Sequence, residues 1–179
     1  MSGVNNRKAS GFGVIGLLLA LVVGCGPSYL ETADFENPDS FKVSGDSQII
    51  DNAVNRTVLN QVNKYRIAMT ERDASKLRDV VAKSYYENAS TTDDGGDDYG
   101  NERLEQLFGE YLQDAAQEIR YEIEVTRVLE EAETVHVDYI YRWSFRYKVR
   151  GREYWESNRD VNRLTFAREG DDWKISSGM

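Results

Sequence analysis

Residues 134–149 read TVHVDYIYRWSFRYKV, and their alternation decides the fold class. Val135, Val137, Tyr139, Tyr141, Trp143, Phe145 and Tyr147 fall on one side of an extended chain. His136, Asp138, Arg142, Arg146 and Lys148 fall on the other. A period of two with one apolar face marks a half-buried strand. At ~3.3 Å per residue this strand is near 50 Å long, so it must bend, and its sheet should be strongly curved.

The same period flanks it. On the N-terminal side, Ile119, Tyr121, Ile123 and Val125 alternate with Arg120, Glu122, Glu124 and Thr126. On the other side Gly151 marks a turn, residues 153–167 form a further strand, and Gly170-Asp171-Asp172 turns into a last one, Trp173 to Ser176. Glu122 and Glu124 are expected across from Arg142 and Arg146 as surface ion pairs of small value. A charged outer face argues against a large hydrophobic sheet-to-sheet dimer.

Upstream the period changes to that of a helix. Ile50, Val54, Val58, Val62, Tyr65 and Met69 recur every three or four residues over 49–69. Asp73 is suited to N-cap a short helix from Ala74 to about Tyr85 carrying Leu77, Val80 and Val81. Residues 88–100 (NASTTDDGGDDYG) read as a loop, and Asn101 is expected to cap a third helix with Leu104, Leu107, Phe108, Tyr111 and Leu112 on one face. Helices first and antiparallel strands after is an α+β order, with helices covering one face of the sheet.

The N-terminus reads as an address. Arg7 and Lys8 form a positive region, and Phe12 to Val23 form an apolar run of about a dozen residues, short of the ~18 that span a bilayer. Val22-Val23-Gly24-Cys25 places small residues before the only cysteine. This resembles a bacterial lipoprotein signal with its lipobox. It implies that residues 1–24 are removed and that Cys25 carries the acyl chains (palmitate and its like) that anchor the protein. By the sorting rule of that class, Gly26 after the cysteine favours the periplasmic side of the outer membrane. Cleavage removes two bases and no acids, leaving 20 basic against 31 acidic residues. That sign opposes anionic headgroups and excludes nucleic acid as a partner. Residues 25–48, with Gly26, Pro27, Pro38, Gly45 and five acids, read as the lipidated cysteine and a flexible acidic tether. A plain linker is the expectation; Tyr29, Leu30, Phe35 and Phe41 are the side chains that could dock it onto a partner or the domain.

Within 49–179, Tyr65-Arg66-Ile67-Ala68, Arg72-Asp73 and Leu77 resemble the opening helices of the NTF2-like (SnoaL-like) superfamily. Tyr99-Gly100-Asn101-Glu102 and the hairpin from Leu164-Thr165-Phe166 to Trp173-Lys174-Ile175 fit its middle and its close. The resemblance implies a cone in which N-terminal helices pack on a strongly curved antiparallel sheet and enclose a pocket. It also implies a superfamily of enzymes, ligand carriers and interaction modules, so the fold does not fix the function.

Tyr139, Tyr141 and Trp143 would line such a pocket, with flat surfaces and polar tips suited to an apolar small molecule. Core filling beneath the helices is the more ordinary role for the same rings. If Leu164 and Phe166 face inward, parity carries Asn162, Asp160, Asn158 and Glu156 with them. The resemblance implies that a pocket acid removes a proton while a tyrosine steadies the developing charge. Here that pair would be Asp160 with Tyr65 or Tyr139, acting as a cofactor-free lyase or isomerase. Against this stands an open, solvated end of the cone. The ligand-binding set expected from sequence is therefore Tyr65, Tyr139, Tyr141, Trp143, Asn158 and Asp160.

Other chemistry is not supported. His136, the only histidine, falls on the outer face, so no Ser-His-Asp arrangement is formed. Asp93, Asp94, Asp97 and Asp98 miss the spacing of a calcium loop, and no metal or cofactor is expected. The expected function is a membrane-anchored module that holds a small apolar ligand or an envelope protein.

Overall fold

The structure is a computed structural model and describes residues 40–88, 97–110 and 115–179. The expected signal sequence, Cys25 and the expected tether up to residue 39 lie outside the described residues, as do Asp93, Asp94, Tyr111 and Leu112, the last two expected in the third helix.

In chain order the elements are β1 (Phe41–Val43), α1 (Ala53–Glu71), α2 (Ala74–Val80), β2 (Tyr86–Glu87), β3 (Tyr99–Gly100), α3 (Asn101–Phe108), β4 (Glu118–Glu130), β5 (Thr134–Val149), β6 (Arg152–Glu169) and β7 (Asp172–Ser177). Five strands form one sheet in the order β1-β4-β5-β6-β7, and β2 pairs with β3 separately. The α+β architecture expected from the alternation is present.

α1 starts where Asn52 accepts a hydrogen bond from the Asn55 backbone N–H at 2.8 Å. It ends at Arg72, whose φ of 57° is left-handed. Its inner stripe is Val58, Leu59, Val62, Tyr65 and Ala68, all buried. Ile50, counted in that stripe from spacing, precedes the helix and is exposed, while its neighbour Ile49 is buried. Asp73 caps α2 as expected, with Oδ1 accepting from Ser75 and Lys76 at 2.9 and 3.1 Å.

α2 stops at Val80, five residues before the expected end. Val81 is extended and forms a parallel bridge to Ile175, and the Ala82 N–H donates to the Ile175 carbonyl at 2.8 Å. Strand pairing there outcompetes the helical period. Asn101 is the first residue of α3 rather than its cap; Gly100 occupies the cap position with no side-chain hydrogen bond.

The sheet is mixed rather than purely antiparallel. β1 pairs in parallel with β4, Phe41 opposite Ile123. The expected tether therefore ends earlier than residue 48, because Phe41 is fully buried and Ser40 and Ser44 hydrogen-bond to β4. An apolar ring with room beside Ile123 gains more from burial than a solvated linker would. The register of β4 on β5 shifts between Val125 and Arg127, and that of β6 on β7 between Thr165 and Phe166. Such bulges bend long strand pairs.

On the outer face Arg142 meets Glu122 at 3.4 Å and Glu124 at 4.0 Å, as expected. Arg146 instead pairs with Glu118 and Glu153. His136 stays on this face, with Nδ1 3.1 Å from Thr165 Oγ1. Its neighbour Asp138 takes Arg127 and Arg163, and the hydrogen bond from Arg163, the strongest influence, holds its carboxyl below the usual range.

β1 is short, yet Phe41 ties it into the core. Replacing Phe41 with alanine is expected to cost about 3–5 kcal/mol of stability, read from chemical denaturation. A cost under about 1 kcal/mol would mean that β1 is not part of the folded domain.

Candidate functional site: an aromatic cleft between α1 and the sheet

All 16 residues of β5 pair with β6 without a shift, from Thr134 opposite Ala167 to Val149 opposite Arg152. The parity argument therefore holds. Tyr139, Tyr141 and Trp143 on β5 stand opposite Asn162, Asp160 and Asn158 on β6, on the face that carries the core. The helices cover only part of this face. Burial is complete at Tyr139 and becomes partial from Tyr141 to Tyr147, while β6 is exposed from Arg152 to Val161.

At the border between covered and open sheet lies a cleft of about 270 Å³. α1 contributes Tyr65 and Met69, β4 contributes Ile119 and Tyr121, and β5 contributes Tyr141, Trp143 and Phe145. Asn162 and Met179 complete the wall. Tyr65 meets Tyr121 edge-on, ring centroids 5.8 Å apart at 85°, and Tyr121 lies 5.8 Å from Tyr141. Such edge and offset contacts are the preferred geometries of aromatic pairs.

The hydroxyls converge at the buried end. Tyr65 and Tyr121 oxygens are 3.4 Å apart, a long hydrogen bond. The Tyr139 hydroxyl is buried beside them and makes no hydrogen bond of good geometry with another described residue. Desolvation raises all three above the ordinary tyrosine value, so each stays a neutral O–H. Tyr141 is raised by desolvation first and then by the charge of Asp160.

Met179 reaches the cleft through a set of polar ties. Asn162 Nδ2 donates to the Gly178 carbonyl at 3.0 Å, the Gly178 N–H donates to Glu87 at 2.5 Å, and the Met179 N–H donates to Tyr85 Oη at 3.2 Å. Gly178 has φ of 97°, and a Cβ there would lie 1.9 Å from the Arg163 carbonyl oxygen. Only glycine fits that approach.

Of the residues expected from sequence, the cleft brings together Tyr65, Tyr141 and Trp143. Tyr139 lies behind the wall, 1% exposed, and serves the core that the ordinary reading assigned it. Asn158 and Asp160 are on the correct face but exposed and outside the cleft. Each uses Oδ1 to accept the next backbone N–H at 2.8 Å. Asp160 thus lacks the apolar enclosure on which a pocket base depends. Met69, Ile119, Tyr121, Phe145, Asn162 and Met179 were not singled out as site residues. Tyr121 and Ile119 were legible in the alternation of β4, whereas nothing in the sequence places Met179. Among the described residues no cluster of three or more His, Cys, Asp or Glu side chains is placed to hold a metal ion.

No family model and no curated protein matches the sequence. Solved structures do match. A conserved protein from Planctomyces limnophilus aligns with a TM-score of 0.59 at 9% identity, over 70% of this chain and 93% of that one. An NTF2-like superfamily protein from Salmonella enterica serovar Typhimurium gives 0.57 at 8% identity, over 70% and 87%. A hexachlorocyclohexane dehydrochlorinase, LinA type 2, gives 0.56 at 14% identity, over 70% and 82%. At these identities the likeness speaks for architecture, and with helices laid on one face of a mixed five-stranded sheet the chain has the NTF2-like (SnoaL-like) fold.

Proposed function

We propose that this protein is a lipid-anchored envelope module that binds a small, neutral, largely apolar molecule in the aromatic cleft, with acylated Cys25 holding it at the membrane, on the periplasmic side of the outer membrane. The observation that carries the binding reading is the composition of the wall. Seven of its nine residues are aromatic or aliphatic side chains of the two helix-covered strands and α1, and none is a carboxylate or an imidazole. Rings and aliphatic groups supply the burial, while the neutral hydroxyls of Tyr65 and Tyr121 supply donors for one acceptor oxygen of the ligand. An ionised ligand would have to shed its hydration against apolar walls with no countercharge, which disfavours it.

A second reading, a cofactor-free lyase or isomerase, is favoured by one observation: Asp160 stands directly opposite Tyr141. The dehydrochlorinase among the solved neighbours carries an enzyme on the same fold. A protein-interaction role, the other form of the expected module, requires no ligand in the cleft.

A dye-displacement titration against apolar small molecules separates these readings. Saturable displacement is expected, weakened roughly tenfold or more by Tyr141→Ala, which removes about 1.5–3 kcal/mol of burial. Asp160→Asn should leave affinity and its pH profile unchanged. A pH-dependent change on Asp160→Asn would shift the assignment to catalysis, and no binding by folded protein would leave the interaction role alone.

The tyrosine hydroxyls give an independent check. Their folded pKa values lie above the unfolded value of 10.0, so the cluster's contribution to stability is fully present below that pH. As pH rises further the unfolded chain loses protons first and stability falls. Ultraviolet titration should therefore show a set of tyrosines that ionise only on alkaline unfolding; ordinary titration of all of them near pH 10 would contradict the buried cluster.

A further inference from the structure

β4 reaches its end of the β4–β5 ladder at Glu118 opposite Arg146. The last rows of the next hairpin, Tyr147 with Tyr154, Lys148 with Glu153 and Val149 with Arg152, have only each other as strand neighbours among the described residues. Three rows at ~3.4 Å carry the tip roughly 10 Å past the body of the sheet.

The composition of this finger is unlike that of the chain. Arg146, Lys148, Arg150 and Arg152 face a single acid, Glu153, within 146–155, whereas the chain as a whole carries −9. Glu153 is held by Arg146 at 3.0 Å. Lys148, Arg150 and Arg152 are exposed and form no ion pair with another described residue. Interleaved with them are apolar surfaces that the fold leaves open: Val149 is 46% exposed, Tyr154 43% and Trp155 48%. Tyr147 and Tyr154 stack across the hairpin at 5.7 Å, and Trp155 at its base lies under the Arg120 guanidinium at 4.6 Å.

The turn adds a separate observation. Arg150 has φ of 50° and Gly151 φ of 83°. A two-residue hairpin turn with both φ positive favours Asn, Asp or Gly at its first position. Here an arginine sits there despite the conformational cost. Arg150 is exposed and makes no ion pair with another described residue, so nothing in the described fold is seen to offset that cost.

We propose that the β5–β6 hairpin tip is a membrane-contact finger for an anionic lipid surface, with Lys148, Arg150 and Arg152 at the lipid phosphates and Val149 and Tyr154 in the headgroup–acyl boundary. Cations alone would serve any polyanion; cations beside exposed aromatic and aliphatic side chains match the two layers of a bilayer interface. Charge complementarity is local, because the remainder of the surface is acidic and repelled by the same lipids. The finger would therefore fix how the domain faces the membrane. The setting rests on the tether proposed above, although the finger itself makes no use of the cleft.

The test uses the full chain reconstituted on vesicles of phosphatidylcholine, with or without phosphatidylglycerol, some lipids carrying brominated acyl chains. Val149→Trp supplies a reporter at the tip. Its emission, taken as the difference from the unsubstituted chain, should shift to the blue and be quenched by the bromines when phosphatidylglycerol is present. Both signals should be lost with phosphatidylcholine alone and in the added triple variant Lys148→Glu, Arg150→Asn, Arg152→Glu, whose unchanged melting temperature shows that it folds. Absence of quenching on phosphatidylglycerol vesicles, or quenching that survives the triple substitution, overturns the proposal. So does binding of poly-glutamate in place of vesicles, which would assign the finger to an acidic protein. The mass of the Cys25 segment separates this from the tether. An acylated chain without quenching loses the finger alone, and an unacylated chain with quenching loses the tether alone.

Discussion

The uninterrupted pairing of β5 with β6 is the constraint on which the remaining structure depends. With a side-chain period of two, one slipped residue in that ladder would send Val137, Tyr139, Leu164 and Phe166 to solvent and Asp138 and Arg163 into the core. All four of those apolar residues are at most 1% exposed, so the register is fixed by burial along half of the hairpin. The other half inherits the register without being buried itself. That is how Tyr141, Trp143 and Phe145 come to face inward at a level where the helices no longer cover the sheet.

The cleft is a consequence of this mismatch in length. α1 is a helix of 19 residues with 1.5 Å of rise per residue, near 28 Å, while β5 has 16 residues at more than twice that rise. A helix layer of that length cannot cover the strand from end to end. Where cover stops, rings that would otherwise be core become the wall of an open site. The tyrosine hydroxyls mark the border. Tyr139, on the covered side, makes no hydrogen bond of good geometry with another described residue, and Tyr65 and Tyr121 share one long contact. Tyr139 lies behind the wall, but the desolvation cost carried by Tyr65 and Tyr121, which line the cleft, is one that an entering acceptor would offset.

Much of this was legible in the residues. The alternation in 134–149 and the change of period near residue 118 were sufficient for the α+β order, and parity alone put Asn158, Asp160 and Asn162 on the inner face. Parity is silent about cover, however. It says which way Asp160 points and nothing about how far the helices extend over it, so an exposed carboxylate and a pocket base look alike in sequence. Phe41 was hard to place for a related reason. Three residues are too few to show a period, and the parallel pairing of β1 is decided by the space beside Ile123 rather than by any local pattern. Met179 depends on a backbone approach at Gly178 that only three-dimensional contact with Arg163 defines.

The inner-facing asparagines and aspartate of β6 have another effect. β7 pairs with β6 only from Thr165 to Glu169 and Gly178 packs against the backbone at Arg163, so among the described residues no strand adjoins the outer flank of β6 from Arg152 to Val161. A bare strand flank of that length is a template for intermolecular pairing and aggregation. Asn158, Asp160 and Asn162 each bend one oxygen back to the following N–H, at 2.8, 2.8 and 2.7 Å. The donors of Arg159 and Val161, which lie along the bare stretch, are thus already occupied by side chains that a docking strand would first have to displace. The flank is thereby made a poor template for pairing with another strand.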